Sequence, residues 1–160
     1  MKTDTALQEH LLYLLRDGGA HLNLDQALKG LPPGLRGVKI AGMPHTLWQL
    51  IEHMRIAQWD ILEYSRKPGQ VSPAFPEGYW PPTEAPPDEA AWNASIAAFK
   101  ADLQAMEELV LNPSTDLFAV ISKSDNHTIL REAMMVADHN AYHLGQIVLA
   151  RRLLGTWAGS

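Results

Sequence analysis

The chain has 160 residues, a formal net charge of −5, a pI of about 5.7 and no cysteine. That length predicts one domain over 1–160, large enough to fold without staples; the missing cysteines exclude disulfides, thiolate metal sites and cysteine nucleophiles, so any metal must be held by nitrogen and oxygen. The acidic balance, with no basic run longer than Arg66-Lys67 or Arg151-Arg152, speaks against nucleic acid, and no apolar run nears the ~18 residues of a membrane span.

The start, Met1-Lys2-Thr3-Asp4, leads into an amphipathic stretch rather than a signal peptide, so a soluble cytoplasmic protein is expected. Residues 5–16 carry Leu7, Leu11, Leu12, Leu14 and Leu15 at helical spacing, and Gly18-Gly19 stops that helix. A short second helix is expected within 22–31, with Asn23 as its N-cap, ended by Pro32, Pro33 and Gly34. After a loop marked by Gly42 and Pro44, Thr46 and Gln49 have the form of a capping box, in which each side chain satisfies an orphan backbone N–H. Leu47, Leu50, Ile51, Met54, Ala57, Ile61 and Leu62 then recur as one stripe of a helix that should run to about Arg66, before Pro68.

Residues 67–87 hold seven of the eleven prolines, which excludes a helix or an inner strand. The same stretch carries Val71, Phe75, Tyr79 and Trp80, whereas disordered linkers are poor in aromatics. It reads as an ordered crossover packed over one end of the domain. Asp88 is the expected N-cap of a helix over 89–111, closed by Asn112-Pro113. An apolar piece at 117–121 has no assigned conformation. The last helix should begin near Thr128, run to about Leu154 and stop at Gly155. It is apolar over most of its circumference, so it is expected to be the most buried element. No strand pattern stands out, and the expected fold class is all-α, a four-helix bundle with a long Pro-rich crossover loop. His45-Thr46-Leu47 and His127-Thr128-Ile129 both precede a long helix, a faint internal echo.

Seven histidines are present. His139 and His143 stand four apart on the last predicted helix and share a face, so their imidazoles can converge on one ion. A zincin protease would need Glu directly after the first histidine, and Asn140 stands there. His53 flanks the apolar stripe of the Thr46-capped helix, where bundles build metal sites from facing helices. Spacing alone leaves two readings open: hydrogen-bonded core histidines, or a metal site formed by His53, His139 and His143. His10, His21, His45 and His127 read as exposed or helix-start residues, with His45 able to border a pocket.

Pro44-His45-Thr46-Leu47-Trp48-Gln49-Leu50-Ile51-Glu52-His53-Met54-Arg55-Ile56-Ala57-Gln58-Trp59-Asp60-Ile61-Leu62 resembles the second-helix block of DinB/YfiT-like proteins. Ala137-Asp138-His139-Asn140-Ala141-Tyr142-His143-Leu144-Gly145-Gln146 resembles their final-helix block. The resemblance extends over roughly 5–155. It implies a four-helix bundle with an open metal site, whose ligand positions are matched by His53, His139 and His143. It also implies nickel, zinc or iron as the ion, a homodimer, and an activity such as thiol S-transfer with a low-molecular-weight thiol.

Structural zinc sites are usually closed by four protein ligands, whereas catalytic ones keep a position for water or substrate. Three histidines therefore favour a metal-dependent enzyme, a thiol S-transferase or hydrolase acting on a small molecule. The alternative is a non-catalytic metal- or ligand-binding bundle linked to stress. No general base is identified. Gln49 and Gln146 lie one turn from a ligand and can support it or serve as caps; Trp48, Tyr79, Trp80 and Tyr142 can line a pocket or simply pack. Metal binding is expected to weaken below about pH 6.5, where free imidazole protonates.

Overall fold

Helix starts in this chain are written in side-chain oxygens. Asn23, Thr46, Asp88 and Thr128 each accept the backbone N–H three residues on, from Gln26, Gln49, Ala91 and Arg131. Asn23 and Thr46 complete reciprocal boxes, because the Gln26 and Gln49 side chains accept the cap residue's own N–H. The computed structural model describes residues 5–17, 19–67, 69–122 and 126–157. The Met1-Lys2-Thr3-Asp4 start, Gly18 and Pro68 lie outside the described residues.

The fold is all-helical. Its helices are α1 (Thr5–Asp17), α2 (Leu24–Leu28), α3 (Leu47–Arg66), α4 (Glu89–Leu111) and α5 (Ile129–Leu153), with 3-10 turns at Pro33–Leu35 and Glu77–Tyr79. Among the described residues the only β pairing is an isolated bridge, Val120 with Thr128. The 117–121 piece lies across this bridge and buries Leu117 and Ile121. Gly155, at φ +68°, follows α5 in the left-handed region that favours glycine.

α3 lies against both α4 and α5, and α1 against the same two helices. Two apolar clusters result. One joins Leu24, Leu47, Met54, Trp92, Phe99 and Ile147; the other joins Leu11, Leu15, Leu62, Met106, Val110 and Val136. Each such side chain contributes roughly 1.5–3 kcal/mol when fully buried. A polar layer lies at the seam. Gln58 of α3 donates to the Phe99 carbonyl of α4 at 2.6 Å, and Asn140 of α5 donates to Gln58 at 2.8 Å. These bonds leave α3 little freedom to slide past α5, because a shift would strand buried polar groups.

Two expectations need correction. α5 is not the most buried helix: Met134, Met135, Tyr142, Leu149 and Leu153 stand on its solvent side. α3 is the deeper element, because α4, α5 and the Glu77–Tyr79 turn cover it from several directions. Composition records how apolar a helix is, not how many of its faces find neighbours. In the Pro-rich segment Tyr79 and Trp80 pack inward, but Val71 and Phe75 are both 85% exposed. The far end of that segment is tied down near the start of α3. Trp48 Nε1 donates to Thr83 Oγ1 at 3.1 Å, and Thr46 Oγ1 donates to the Glu84 carbonyl at 2.6 Å. Gly37 is needed at this junction, since a Cβ there would collide with Ala85.

Candidate metal centre

α3 and α5 bring His53, His139 and His143 together. Each offers one ring nitrogen, and the three nitrogens lie within 4.8 Å of one another. His139 Nε2 is 3.1 Å from His53 Nε2. Ligands at ~2.0–2.1 Å from a tetrahedral ion stand about 3.4 Å apart, and the His53–His139 pair is close to that spacing. The rings cross rather than stack: His53 meets His143 at 78° and His139 at 58°.

The outer nitrogens decide where the lone pairs point. His53 Nδ1 lies 2.9 Å from the Tyr79 carbonyl oxygen, which can only accept, so Nδ1 carries the hydrogen and Nε2 keeps its lone pair. His143 Nδ1 lies 2.8 Å from Gln146 Oε1 and is fixed in the same sense. His139 Nδ1 is buried with no hydrogen-bond partner among the described residues. The metal-free chain must therefore place the His139 proton on Nε2, donating to His53. With a cation present, that nitrogen can turn its lone pair inward. The donor set fits a divalent ion, and among the described residues no carboxylate joins it.

The DinB superfamily profile matches residues 19–147, which include all of α3 and the histidine-bearing part of α5. The chain belongs to the DinB superfamily. No curated protein and no solved structure matches this DinB chain.

The remaining histidines of this DinB protein divide sharply. His10 and His21 are exposed, and His127 lies beside Glu132 and Tyr64, away from the triad. His45 does not serve as a cap. Its ring stacks on Trp80 at 3.7 Å, and the other face of the indole stacks on His53 at 3.9 Å and 3°. A whole indole separates His45 from His53, so His45 is too far to be a fourth ligand. Of the two glutamines near the site, Gln146 supports His143 while Gln49 is consumed by the helix cap. Tyr142 meets His143 edge-on at 4.9 Å, and Trp48 is a core residue. Glu52, next to His53, turns instead to Arg55. The contacts that sequence reasoning missed are the Tyr79 carbonyl, the stacked His45 and Asp60, which accepts from the Tyr79 hydroxyl at 2.6 Å. The Tyr79-Trp80 pair in a Pro-rich stretch was the visible signal, but a backbone carbonyl leaves no mark in sequence.

In this DinB site burial keeps all three imidazoles neutral. It lowers His139 to about 3, helped by the charges His143 and His53 would carry. Burial likewise lowers His53 and His143, against the raising effect of Tyr79 and Gln146 respectively. The sign follows. The unfolded chain takes up protons near the ordinary ~6.5, before the folded one does. Stability from these groups is complete above about pH 6.5 and is lost as pH falls toward the folded values, about 3 for His139. Proton competition for the metal therefore sets in below the free-imidazole value. Zinc titrations should show less than about a tenfold loss of affinity between pH 7.5 and 6. A steep multi-proton loss centred on pH 6.5 would contradict this.

Proposed function

We propose that this chain is a divalent-metal-binding DinB protein whose ligands are His53, His139 and His143, and that it works as a metal-dependent enzyme of the thiol S-transferase or hydrolase type. The observation that carries the reading is the convergence of one ring nitrogen from each of the three histidines, with the Tyr79 carbonyl and Gln146 Oε1 placed against the outward Nδ1 atoms of His53 and His143. A structural site would normally be closed by a fourth protein ligand, and a three-imidazole set leaves a position for an outside molecule. A divalent ion held there acts as a Lewis acid and lowers the pKa of a water or thiol that it binds. Neutral ligands leave the ion's charge uncompensated, which favours an anionic or ionisable small molecule in the open position. Nickel, zinc and iron all suit imidazole.

The four long helices, with the Pro-rich stretch between α3 and α4, support reading 1–160 as one DinB/YfiT-type four-helix-bundle domain with a crossover. A homodimer follows from the family resemblance, and the apolar outer side of α5 offers a surface for it. A cytoplasmic location fits the cysteine-free composition. No helix of the described residues is long and apolar enough to cross a membrane.

The test is elemental analysis of protein prepared without a polyhistidine tag, then incubated with zinc or nickel and dialysed. One ion per chain is expected. Water-proton relaxation of the nickel-loaded protein should then report an exchangeable water, displaced by a small thiol. No retained ion in either metal would overturn the reading.

A further inference from the structure

Tyr79 touches α3 at two places two turns apart. Its carbonyl oxygen takes the Nδ1 proton of His53 at 2.9 Å, and its hydroxyl donates to Asp60 Oδ2 at 2.6 Å. His53 and Asp60 are seven residues apart on α3 and so lie on one face of that helix. The next residue, Trp80, lies flat on the His53 ring. The Glu77–Tyr79 turn and the Trp80 that follows it thus reach His53 through a carbonyl and an indole, and are anchored through a phenol.

Asp60 is an expensive anchor. It is 6% exposed, and its Oδ1 is buried with no hydrogen-bond partner among the described residues. Burying a carboxylate that satisfies only one oxygen costs stability. A serine or asparagine could hold a phenol at a lower cost. A carboxylate accepts a stronger, charge-assisted bond than a neutral oxygen does, and the 2.6 Å distance lies in that range.

We propose that Asp60 and Tyr79 are positioning residues for the metal centre: the buried carboxylate holds the Tyr79 hydroxyl, and so holds the Tyr79 carbonyl against His53 Nδ1, which fixes the Nε2 lone pair toward His139 and His143. The proposal rests on the metal reading above and assigns the supporting contact to residues outside the ligand set. Groups that orient a ligating imidazole typically change metal affinity about 10–100-fold when removed.

The experiment compares Tyr79→Phe, Asp60→Ala and Asp60→Asn with the parent chain, using Tyr64→Phe as a control on the same helix. Two readouts are taken: zinc affinity by calorimetry, and the His53 tautomer in metal-free protein from imidazole 15N shifts. Tyr79→Phe and Asp60→Ala should each weaken zinc binding about 10–100-fold and move His53 away from a pure Nδ1–H tautomer. Their double variant should be no worse than either alone, because both break one chain of contacts. Asp60→Asn, which keeps an acceptor, should recover most of the affinity, and Tyr64→Phe should change neither readout. An unchanged His53 tautomer and zinc affinity in Tyr79→Phe would overturn the proposal. If the parent chain retains no zinc, the metal reading falls, and the tautomer readout still decides the positioning role. Should Asp60→Ala fail to fold, Tyr79→Phe, which keeps the ring in place, carries the decision alone.

Discussion

Replacing His139 with alanine is expected to lower zinc affinity by at least about a hundredfold, beyond what loss of a supporting contact costs. The His139 ring meets both of the others. Its Nε2 is 3.1 Å from His53, and its centroid is 4.5 Å from that of His143. Without it the two remaining imidazoles make a weak pair. The fold should survive, because His139 contributes little favourable energy in the metal-free chain: its Nδ1 is buried and has no hydrogen-bond partner among the described residues, and burial opposes its charged form. Circular dichroism should show unchanged helix content. Acid sensitivity between about pH 6.5 and 3 should shrink, since the unfolded chain then has one fewer proton to gain preferentially. Calorimetry with zinc at pH 7.5 checks the first statement, and thermal melts at pH 7 and 5 check the second. Unchanged zinc affinity would remove His139 from the ligand set.

Trp92→Ala should have the opposite profile. Trp92 opens α4, is 6% exposed, and lies in the cluster with Leu47, Met54 and Ile147. The Arg36 guanidinium sits over its ring at 4.3 Å, and Trp48 lies 6.3 Å away. Truncation leaves a cavity and strips the buried Arg36 of a favourable face, while Arg36 Nε already lacks a hydrogen-bond partner among the described residues. The expected cost is about 3–5 kcal/mol, a drop in Tm of roughly 10 °C or more for a domain of this size. Zinc affinity well below the melting range should stay within about threefold, because the ring contacts of Trp92 among the described residues are with Trp48 and Arg36 and not with the triad. A melting temperature within about 2 °C of the parent chain would show that the cluster repacks around the loss.

The contrast between these variants follows what sequence could and could not disclose. Helix starts were legible because capping chemistry is local: Thr46 with Gln49, Asn23, Asp88 and Thr128 all act within three residues of themselves. The three clustered histidines were legible too. His139 and His143 declare a shared helix face by spacing, and the two quoted blocks carry the resemblance that the superfamily match bears out. What escaped was every contact made across the chain by a group with no signature. The Tyr79 carbonyl on His53 spans 26 residues, and nothing in the side chain of Tyr79 announces it. Asp60 was not singled out by sequence, and it is buried beneath a tyrosine from the Pro-rich segment. The depth of α5 was misread for a related reason. Leu149 and Leu153 are as apolar as core residues, and only the placement of neighbouring helices shows that they stand exposed among the described residues.

His53 and His139 stand 86 residues apart in sequence. An ion gripped by both would be a chelate closed across more than half of the polypeptide. On the scale used for covalent cross-links, tying a loop of that length costs the denatured chain somewhat under 5 kcal/mol of entropy. Packing of α3 against α5 meets that cost before any ion arrives. The His139/His143 pair on an excised peptide should therefore be a poor chelator, and the ion should enter last, as a guest of a finished fold.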